Sequence, residues 1–465
     1  MKKIVELLLS GLLLISLTSC HGRPAMAPYV MPETFDTSRT YDISFWAKND
    51  SNPNQIKIYE EAIEDFHKLY PNINVTLTNF ISYPDLYKNI LQKIATDTTP
   101  NVAIAYPDHV ASYLERPNMV VDLNTIIDDK RFGLGGSEIK FDGIKKEDLL
   151  KEYVDELYLM QGTTKVLSSL PFMRSTEVLY VNKTWIEENG FEMPKDNIFT
   201  WDYVWEICYK AIEIDPTMIP FIYQSSDNFF IELCYQNGYS YTTENGDVLF
   251  SNENNIKMVE ELYKLYKDGL FALKANTGIY PGDRFNKGRC IFGVDSTAGS
   301  TWMGPRSPLG AASNVDFEVV VTTVPQVDLN NIKTISQGPS LCLFNKKDDQ
   351  EVLASWLFLQ YLLTNDIQIA YASTEGYSPV TSKAINSSEF KAMLNDDDMY
   401  SVQRDAIQNI IEFKDYTFTT PAFNGSAIVR NEVGDIINKA CKSKKNKPNV
   451  TNIFYEAMVN CGYIN

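Results

Sequence analysis

The sequence predicts an α/β protein with two domains, and three observations support this. The chain has 465 residues, whereas one hydrophobic core rarely serves more than about 300. Hydrophobic residues make up 44% and charged residues 22%, which is typical of a globular protein. Strand-like and helix-like patterns alternate near the start of the chain, and this alternation is typical of a parallel sheet with crossover helices.

The first region contains five expected elements. Alternating apolar residues predict the strands, and apolar residues at helical spacing predict the helices. A proline ends the first helix, because its ring cannot continue one. In chain order the elements are a strand Tyr41–Trp46, a helix Ile56–Leu69, a strand Ile73–Leu77, a helix Tyr83–Ile94 and a strand Val102–Ala105.

The second region is predicted to begin near Leu149 and shows the same kinds of pattern. The expected helices are Asp148–Met160, Trp201–Ile212, Asn255–Lys267 and Val352–Leu363. The expected strands are Lys165–Leu170, Glu177–Val181, Cys290–Val294, Phe317–Val321 and Leu341–Phe344. Further helices are expected towards the end of the chain.

Residues 1–20 are predicted to be a targeting segment. Lys2 and Lys3 precede an apolar run, Leu7–Leu17, which is shorter than the roughly 20 residues that span a bilayer but suits a signal peptide. The run ends in Leu-Thr-Ser-Cys, which resembles the bacterial lipoprotein box. We therefore expect Cys20 to carry a lipid that holds the protein at a membrane surface. An ordinary signal peptide with a chance cysteine is the alternative.

Residues 21–40 contain three prolines and no periodic apolar pattern, so a flexible tether is expected there. No later stretch has the length and apolarity expected of a membrane span.

Composition disfavours several classes of function. The net charge of −18 argues against nucleic-acid binding, which needs a basic face. Three histidines argue against a metal site built from histidine, and the cysteines form no CxxC pair. The sequence has no Walker loop, GxGxxG or GxSxG motif, and no cofactor is expected. The cysteines after Cys20 are expected to be buried thiols, with a Cys441–Cys461 disulfide as an open alternative.

Five blocks in order resemble the extracellular solute-binding proteins of ABC importers, specifically the carbohydrate- and glycerol-3-phosphate-binding group. They are ISFWA with FHKLYPNINV, LPFMRSTEVLYVNKTWIEENG, FTWDYVWEICYK, RCIFGVDSTAGSTW and EGYSPVT. The resemblance implies a two-lobe periplasmic-binding-protein fold of type II. Each lobe would be discontinuous in sequence, and hinge strands would join the lobes. Ligand would bind in the cleft, and hinge closure would present the closed form to a permease.

The resemblance also implies a division of the chain. We expect lobe 1 to comprise residues 41–148 and 287–345, and lobe 2 to comprise 149–286 and 346–465.

Laying the family's cleft residues over this sequence gives a candidate ligand-binding set. Hydroxyl and carboxylate groups would meet sugar hydroxyls, and aromatic rings would meet the C–H faces of a sugar. The resemblance implies Tyr83, Asp108, Ser175, Ser296 (or, one step along, Thr297), Gly338, Tyr377 and Arg430, and Trp302 could supply a further ring.

The resulting hypothesis is a lipid-anchored, extracytoplasmic protein that binds a mono- or oligosaccharide and delivers it to ABC permease subunits without catalysis. A glycerol-3-phosphate or glycerophosphodiester binder is the main alternative, and Arg430 could hold its phosphate. A surface glycosidase or a lobe that serves a sensor kinase are more remote alternatives.

Overall fold

The computed structural model describes residues 26–48, 52–444 and 448–463. The strands are β1 (Tyr41–Lys48), β2 (Ile73–Phe80), β3 (Val102–Ala105), β4 (Tyr158–Gln161), β5 (Thr164–Leu167), β6 (Leu170–Pro171), β7 (Ser175–Asn182), β8 (Phe221–Tyr223), β9 (Phe271–Leu273), β10 (Phe292–Ser296), β11 (Val319–Thr323), β12 (Thr334–Gln337), β13 (Ser340–Leu343) and β14 (Thr417–Phe418).

The helices alternate with these strands over most of the chain. They are α1 (Pro53–Leu69), α2 (Tyr83–Thr96), α3 (Pro107–Tyr113), α4 (Lys151–Val154), α5 (Lys183–Glu188), α6 (Trp201–Ile214), α7 (Ser226–Asn237), α8 (Glu253–Lys267), α9 (Lys274–Thr277), α10 (Pro281–Phe285), α11 (Asp349–Leu362), α12 (Asn365–Ala372), α13 (Ser382–Asn386), α14 (Ser388–Leu394), α15 (Ser401–Glu412), α16 (Ser426–Lys442) and α17 (Val450–Asn460).

Lobe 1 is built on a five-stranded sheet in the order β2-β1-β3-β13-β6. β1 pairs in parallel with β2 and β3, and β13 pairs antiparallel with β3. Helix α1 begins where the Asn52 side chain accepts a hydrogen bond from Asn54 N–H, and it buries Tyr59 and Phe66. These rings pack with Phe45 of β1, Phe358 of α11 and their neighbours in one apolar core, so sequence-distant elements stabilise the same lobe.

Lobe 2 is built on a second sheet in the order β14-β12-β7-β10-β8-β9, with β11 also paired to β7. All eight residues of β7 are buried, which suits a strand near the middle of a sheet. β8 runs parallel to β9 and β10, whereas β10 runs antiparallel to β7. Helices α6, α7, α8, α16 and α17 contribute to the core of this lobe.

The chain passes between the lobes three times. Two of these crossings are neighbours, one between β6 and β7 and the other between β12 and β13, and the third lies between α12 and β14. Phe172 N–H donates to the Pro339 carbonyl at 3.0 Å, so the two crossings touch. Arg174 and Ser378 exchange backbone hydrogen bonds beside them. These contacts form the hinge region.

The lobe boundaries differ from the sequence-based division. The core of lobe 1 includes the stretch from Leu149 to Met173 and also α11 and α12, which had been assigned to lobe 2. Conversely, β10, β11 and β12 belong to the sheet of lobe 2, although 287–345 had been assigned to lobe 1. The cause is strand pairing: β10 lies between β7 and β8, with Phe292 opposite Val181.

One predicted helix was also wrong. The helix expected at Asp148–Met160 is only the short α4, a 3-10 turn and β4, which pairs with β5 around Gly162 (φ 60°).

The predicted tether is not loose over its described part, residues 26–40. There Tyr29 is buried, and Asn118 Nδ2 donates to the Met26 carbonyl at 2.7 Å. The segment therefore packs along lobe 1. The predicted signal peptide and Cys20 lie outside the described residues.

In the described part of the chain, the six cysteines are unpaired thiols, and five of them are buried. Among the described helices, none combines the length and apolarity needed to cross a bilayer.

Candidate ligand-binding site

A cavity of about 320 Å³ lies between the two lobes. Tyr83, Tyr106 and Asp108 line it from lobe 1, and Asp227 and Arg430 line it from lobe 2. Its volume lies within the range of small-molecule sites, and clefts between lobes are frequent places for them. The geometry therefore provides one site with walls from both lobes.

The lobe 1 wall is aromatic. Tyr83 is the first residue of α2, which Ser82 caps, and Tyr106 immediately precedes α3. The rings of Tyr83 and Tyr106 lie 4.3 Å apart between centroids, and the rings of Tyr87 and His109 stack at 4.4 Å. Such rings offer apolar faces together with polar edges, a combination that suits a ligand with C–H faces and hydroxyl groups.

The lobe 2 wall is polar and centres on Arg430 of α16. Arg430 Nε lies 2.8 Å from Asp227 Oδ2, and Arg430 Nη2 donates to Asn228 Oδ1. Burial is the largest single influence and disfavours the charged form of Arg430, but the nearby acidic groups, Asp227 first among them, together raise its pKa above the ordinary value. The cation is therefore already neutralised by a carboxylate of the same wall.

Arg430 also faces lobe 1 across the cavity. Burial raises the pKa of Tyr106 to about 12, and the positive charge of Arg430 acts in the opposite direction. Helix α16 contacts α3, the helix that carries Asp108. The two walls therefore approach each other around Arg430.

The hinge contributes a second ion pair at the cavity. Arg174 is fully buried and pairs with Glu156, while its Nη2 donates to the Tyr153 carbonyl at 2.8 Å. The Arg174 guanidinium also lies over the Tyr153 ring, 4.8 Å from the centroid. Like Arg430, this arginine is held by a carboxylate and does not offer an unpaired positive charge.

Four of the residues predicted from sequence line this cavity: Tyr83, Asp108, Gly338 and Arg430. Asp108 lies in the first turn of α3, where its Oδ1 accepts a hydrogen bond from His109 N–H at 3.0 Å. The structure brings these four together from separate parts of the chain. Contact with a ligand stays a prediction for each of them.

The other four predicted residues lie outside the cavity wall. Ser175 is a buried residue of β7 that pairs with Gln337 of β12. Ser296 ends β10, and its Oγ accepts a hydrogen bond from Ala298 N–H. Trp302 is 39% exposed, and Tyr377 is buried in the core of lobe 1.

Trp302 and Tyr377 lie near a second group of buried polar side chains. Burial raises the pKa of Glu375 to about 7, opposed by hydrogen bonds from Asn52 and Trp302 and by the charge of Lys48. The Lys48 Nζ lies 5.5 Å from the centroid of Tyr83, which also lines the cavity. The two groups therefore meet at Tyr83.

Sequence reasoning missed several lining residues, including Tyr106, Glu156, Asp227 and Asn228. Asp227 and Asn228 follow β8 at the start of α7, and the carboxyl end of a strand is a frequent position for ligand contacts in α/β proteins. The position of Asp227 and Asn228 after a strand could therefore have been recognised in the sequence. Glu156 carries no comparable signal, because a 3-10 turn brings it to the hinge.

Tyr377→Ala is expected to destabilise the fold. The ring is buried and lies 5.4 Å from the ring of Tyr371, so truncation leaves a cavity and should lower the free energy of unfolding by about 3 kcal/mol. Urea unfolding of the variant measures this. A variant with unchanged stability would contradict the core position.

The stability of the protein is expected to fall between about pH 4.5 and pH 8 through Glu177, a buried residue of β7. Burial raises its pKa from 4.5 to about 8, against the opposing hydrogen bonds from Tyr223 and Asn228. Within that window the folded state holds a proton that the unfolded state has lost, so raising the pH disfavours folding. The slope is at most about 1.4 kcal/mol per pH unit.

Glu177→Gln removes this titration and keeps the shape of the side chain. Urea unfolding at pH 5.5, 6.5 and 7.5 should give a wild type whose stability relative to the variant decreases as the pH rises. Parallel pH profiles for the two proteins would contradict the raised pKa.

No group of three or more His, Cys, Asp or Glu side chains in residues 26–48, 52–444 and 448–463 is arranged to hold a metal ion. The polar groups that line the cavity are hydroxyl, amide and carboxylate groups, the His109 imidazole and two paired guanidinium groups.

Residues 61–395 match the family model described as bacterial extracellular solute-binding protein. The match covers most of the chain. This chain belongs to that family. The resemblance predicted from the sequence blocks is thereby confirmed, and the family's extracellular character gives the protein an extracytoplasmic location.

One similar protein is the arabinooligosaccharide-binding protein of Bacillus subtilis (strain 168). It is 21% identical over 231 residues, which span 49% of this chain and 48% of the relative. The matched stretch therefore covers about half the length of each protein.

Solved structures of solute-binding proteins share the fold. Maltose-bound MalE3 of T. maritima has a TM-score of 0.67 and 17% identity, over 91% of this chain and 99% of that one. UgpB of Mycobacterium tuberculosis in complex with glycerophosphocholine has a TM-score of 0.70 and 15% identity, over 90% of this chain and 97% of that one. These similarities confirm the two-lobe fold of type II predicted from sequence.

Proposed function

We propose that this solute-binding protein holds a neutral mono- or oligosaccharide between its lobes and delivers it to the permease of an ABC importer. The observation that carries the proposal is the cavity, with tyrosines on one wall and a carboxylate-paired arginine on the other. A ligand that touches both walls favours the closed arrangement, because only that arrangement allows both sets of contacts. The similarity to an arabinooligosaccharide-binding protein and to a maltose-bound structure agrees with a sugar.

The charges of the cavity argue for a neutral ligand over a phosphate. Arg430 is paired with Asp227 and Arg174 with Glu156, while Asp108 adds a further carboxylate. A phosphate group would have to compete with these carboxylates for each arginine. A polyol phosphate or glycerophosphodiester remains the second candidate because both arginines line the cavity and UgpB, a solute-binding protein of the same fold, was solved with glycerophosphocholine.

Thermal-shift screening separates the two candidates. The panel comprises arabinotriose, maltose, glycerol-3-phosphate and glycerophosphocholine, because a ligand that prefers the folded state raises the melting temperature. A sugar is expected to raise it and the phosphates are not. A shift caused only by the phosphates would replace the sugar proposal with the second candidate.

The proposal also includes two further properties of the protein, which are the absence of catalysis and a lipid on Cys20. The protein is proposed to catalyse no reaction, so prolonged incubation with arabinotriose and maltose should leave both sugars intact by chromatography.

Cys20 is proposed to carry a lipid anchor, so metabolic labelling with a radioactive fatty acid should label the wild type and not Cys20→Ala. Label on Cys20→Ala would contradict lipidation of Cys20, and release of product from either sugar would contradict the absence of catalysis.

A further inference from the structure

A buried carboxyl lies behind the lobe 2 wall without lining the cavity. Glu177 of β7 is 2% exposed, and it accepts hydrogen bonds from Tyr223 Oη at 2.5 Å and from Asn228 Nδ2 at 2.7 Å. Ionisable side chains are seldom fully buried unless they have partners. Here one of the two partners, Asn228, is itself a residue of the cavity wall.

Asn228 joins this carboxyl to the arginine of the site. Its Nδ2 donates to Glu177, and its Oδ1 accepts from Arg430 Nη2. A side-chain amide has its donor and acceptor on opposite branches, so the partner on one branch decides what the other branch offers. The acceptor oxygen of Glu177 therefore turns the Asn228 carbonyl towards Arg430.

Arg430 is consequently held at two points. Asp227 binds its Nε at 2.8 Å, and Asn228 accepts from its Nη2. Two contacts on a planar guanidinium fix its plane as well as its position. The N–H groups of Arg430 that neither contact uses are then presented in a fixed direction.

We propose that Glu177 is a positioning residue for the ligand site, acting through the amide of Asn228 to hold Arg430 in its binding orientation. The inference rests on the proposed function for its ligand: the remaining N–H groups of Arg430 donate to hydroxyl or ring oxygens of a sugar. Without the acceptor of Glu177 the Asn228 amide is free to turn, and a turned amide would present its NH₂ group to the cation.

Three variants test the role of Glu177. Glu177→Met keeps approximate size but has no acceptor, whereas Glu177→Gln offers a carbonyl oxygen to Asn228. Tyr223→Phe is the matched control, because it removes the other hydrogen bond of Glu177, the one that does not lead to the cavity. Calorimetric titration with arabinotriose and maltose should give an affinity about tenfold weaker for Glu177→Met, near the size of one hydrogen bond to a charged group.

The conservative variant Glu177→Gln and the control Tyr223→Phe should both differ from Glu177→Met in their sugar affinity. Glu177→Gln and Tyr223→Phe are expected to bind within about threefold of the wild type, although Tyr223→Phe loses stability by leaving a buried carboxyl oxygen unpaired. A merely structural role would instead weaken binding in proportion to stability, with Tyr223→Phe affected as much as Glu177→Met. That pattern would overturn the proposal. Should Glu177→Met not fold, Glu177→Asp, whose reach is shorter by one methylene, replaces it with the same expectation.

A measurement without ligand keeps this test separate from the sugar proposal. In protein with ¹⁵N-labelled arginine, the Arg430 Nε–H signal, assigned from its loss in Arg430→Lys, should exchange slowly with water. Faster exchange is expected in Glu177→Met and not in Glu177→Gln or Tyr223→Phe. Unchanged exchange in Glu177→Met would refute the positioning role even if sugar binds. Failure of both sugars to bind the wild type, with the exchange pattern as expected, would refute only the sugar.

Discussion

Gly338→Ala is expected to lower the free energy of unfolding by roughly 4 kcal/mol, through backbone strain together with a steric clash at the hinge. Gly338 has φ +143°, a conformation that residues with a Cβ rarely adopt. An added Cβ would lie 2.1 Å from the Met173 carbonyl oxygen and 3.0 Å from Arg174 Cα. Neither backbone atom can move without disturbing the contact between the two neighbouring crossings at the hinge. Urea unfolding of the variant measures the loss.

Gly269→Ala provides the matched control for this experiment. Gly269 also has a positive φ, +85°, but nothing lies within 4 Å of its added Cβ. Gly269→Ala should therefore lower the free energy of unfolding by about 1 kcal/mol, through the strained backbone conformation alone. Equal losses in the two variants would mean that close packing at the hinge is not what makes Gly338 necessary.

Arg430→Met is expected to weaken sugar binding by about 3 kcal/mol, which is more than a hundredfold in the dissociation constant. The substitution removes the guanidinium donors from the lobe 2 wall and leaves Asp227 without the cation that lies 2.8 Å from it. Calorimetric titration with the sugar that binds the wild type measures the change.

Arg289→Met is the control, since Arg289 forms an ion pair of the same length with Asp215 on the surface of lobe 2. The Arg289 side chain is 53% exposed, and such pairs contribute little. Affinity for the sugar should stay at the wild-type value. If Arg430→Met also binds like the wild type, Arg430 is not part of the ligand site.

The local elements of lobe 1 could be predicted from the sequence, because each depends on a periodic pattern within a few residues. The expected strand Tyr41–Trp46 became β1 (Tyr41–Lys48), and the expected helix Tyr83–Ile94 became α2 (Tyr83–Thr96). Val102–Ala105 was predicted with its observed bounds. Alternation and helical spacing are local signals, and here tertiary contacts did not override them.

The lobe boundaries could not be predicted, because strand pairing is not a local property. The pattern of Phe292–Ser296 indicates a strand, but it does not say whether β7 of lobe 2 or a strand of lobe 1 will pair with it. The hairpin of β4 and β5 was missed for a similar reason. The residues of β4 satisfy a helical spacing, and only pairing of Tyr158 with Leu167 reveals the strand.

The candidate site was predictable in part. Tyr83, Asp108, Gly338 and Arg430 were found by laying the family's cleft residues over this sequence, and the fold brings them to one cavity. Glu177 could not have been found, because a glutamate within an apolar strand gives no sign of which helix its carboxyl will meet. Its role depends on the packing of α7 against β7.

Calorimetric titration of the wild type with arabinotriose and maltose, run beside Tyr83→Ala and Arg430→Met, is the decisive experiment for sugar binding between the lobes. The two substitutions alter opposite walls of the cavity. We expect one sugar to bind the wild type with a stoichiometry of one and each substitution to weaken that binding. If a sugar binds both variants as tightly as it binds the wild type, the cavity between the lobes is not where it binds.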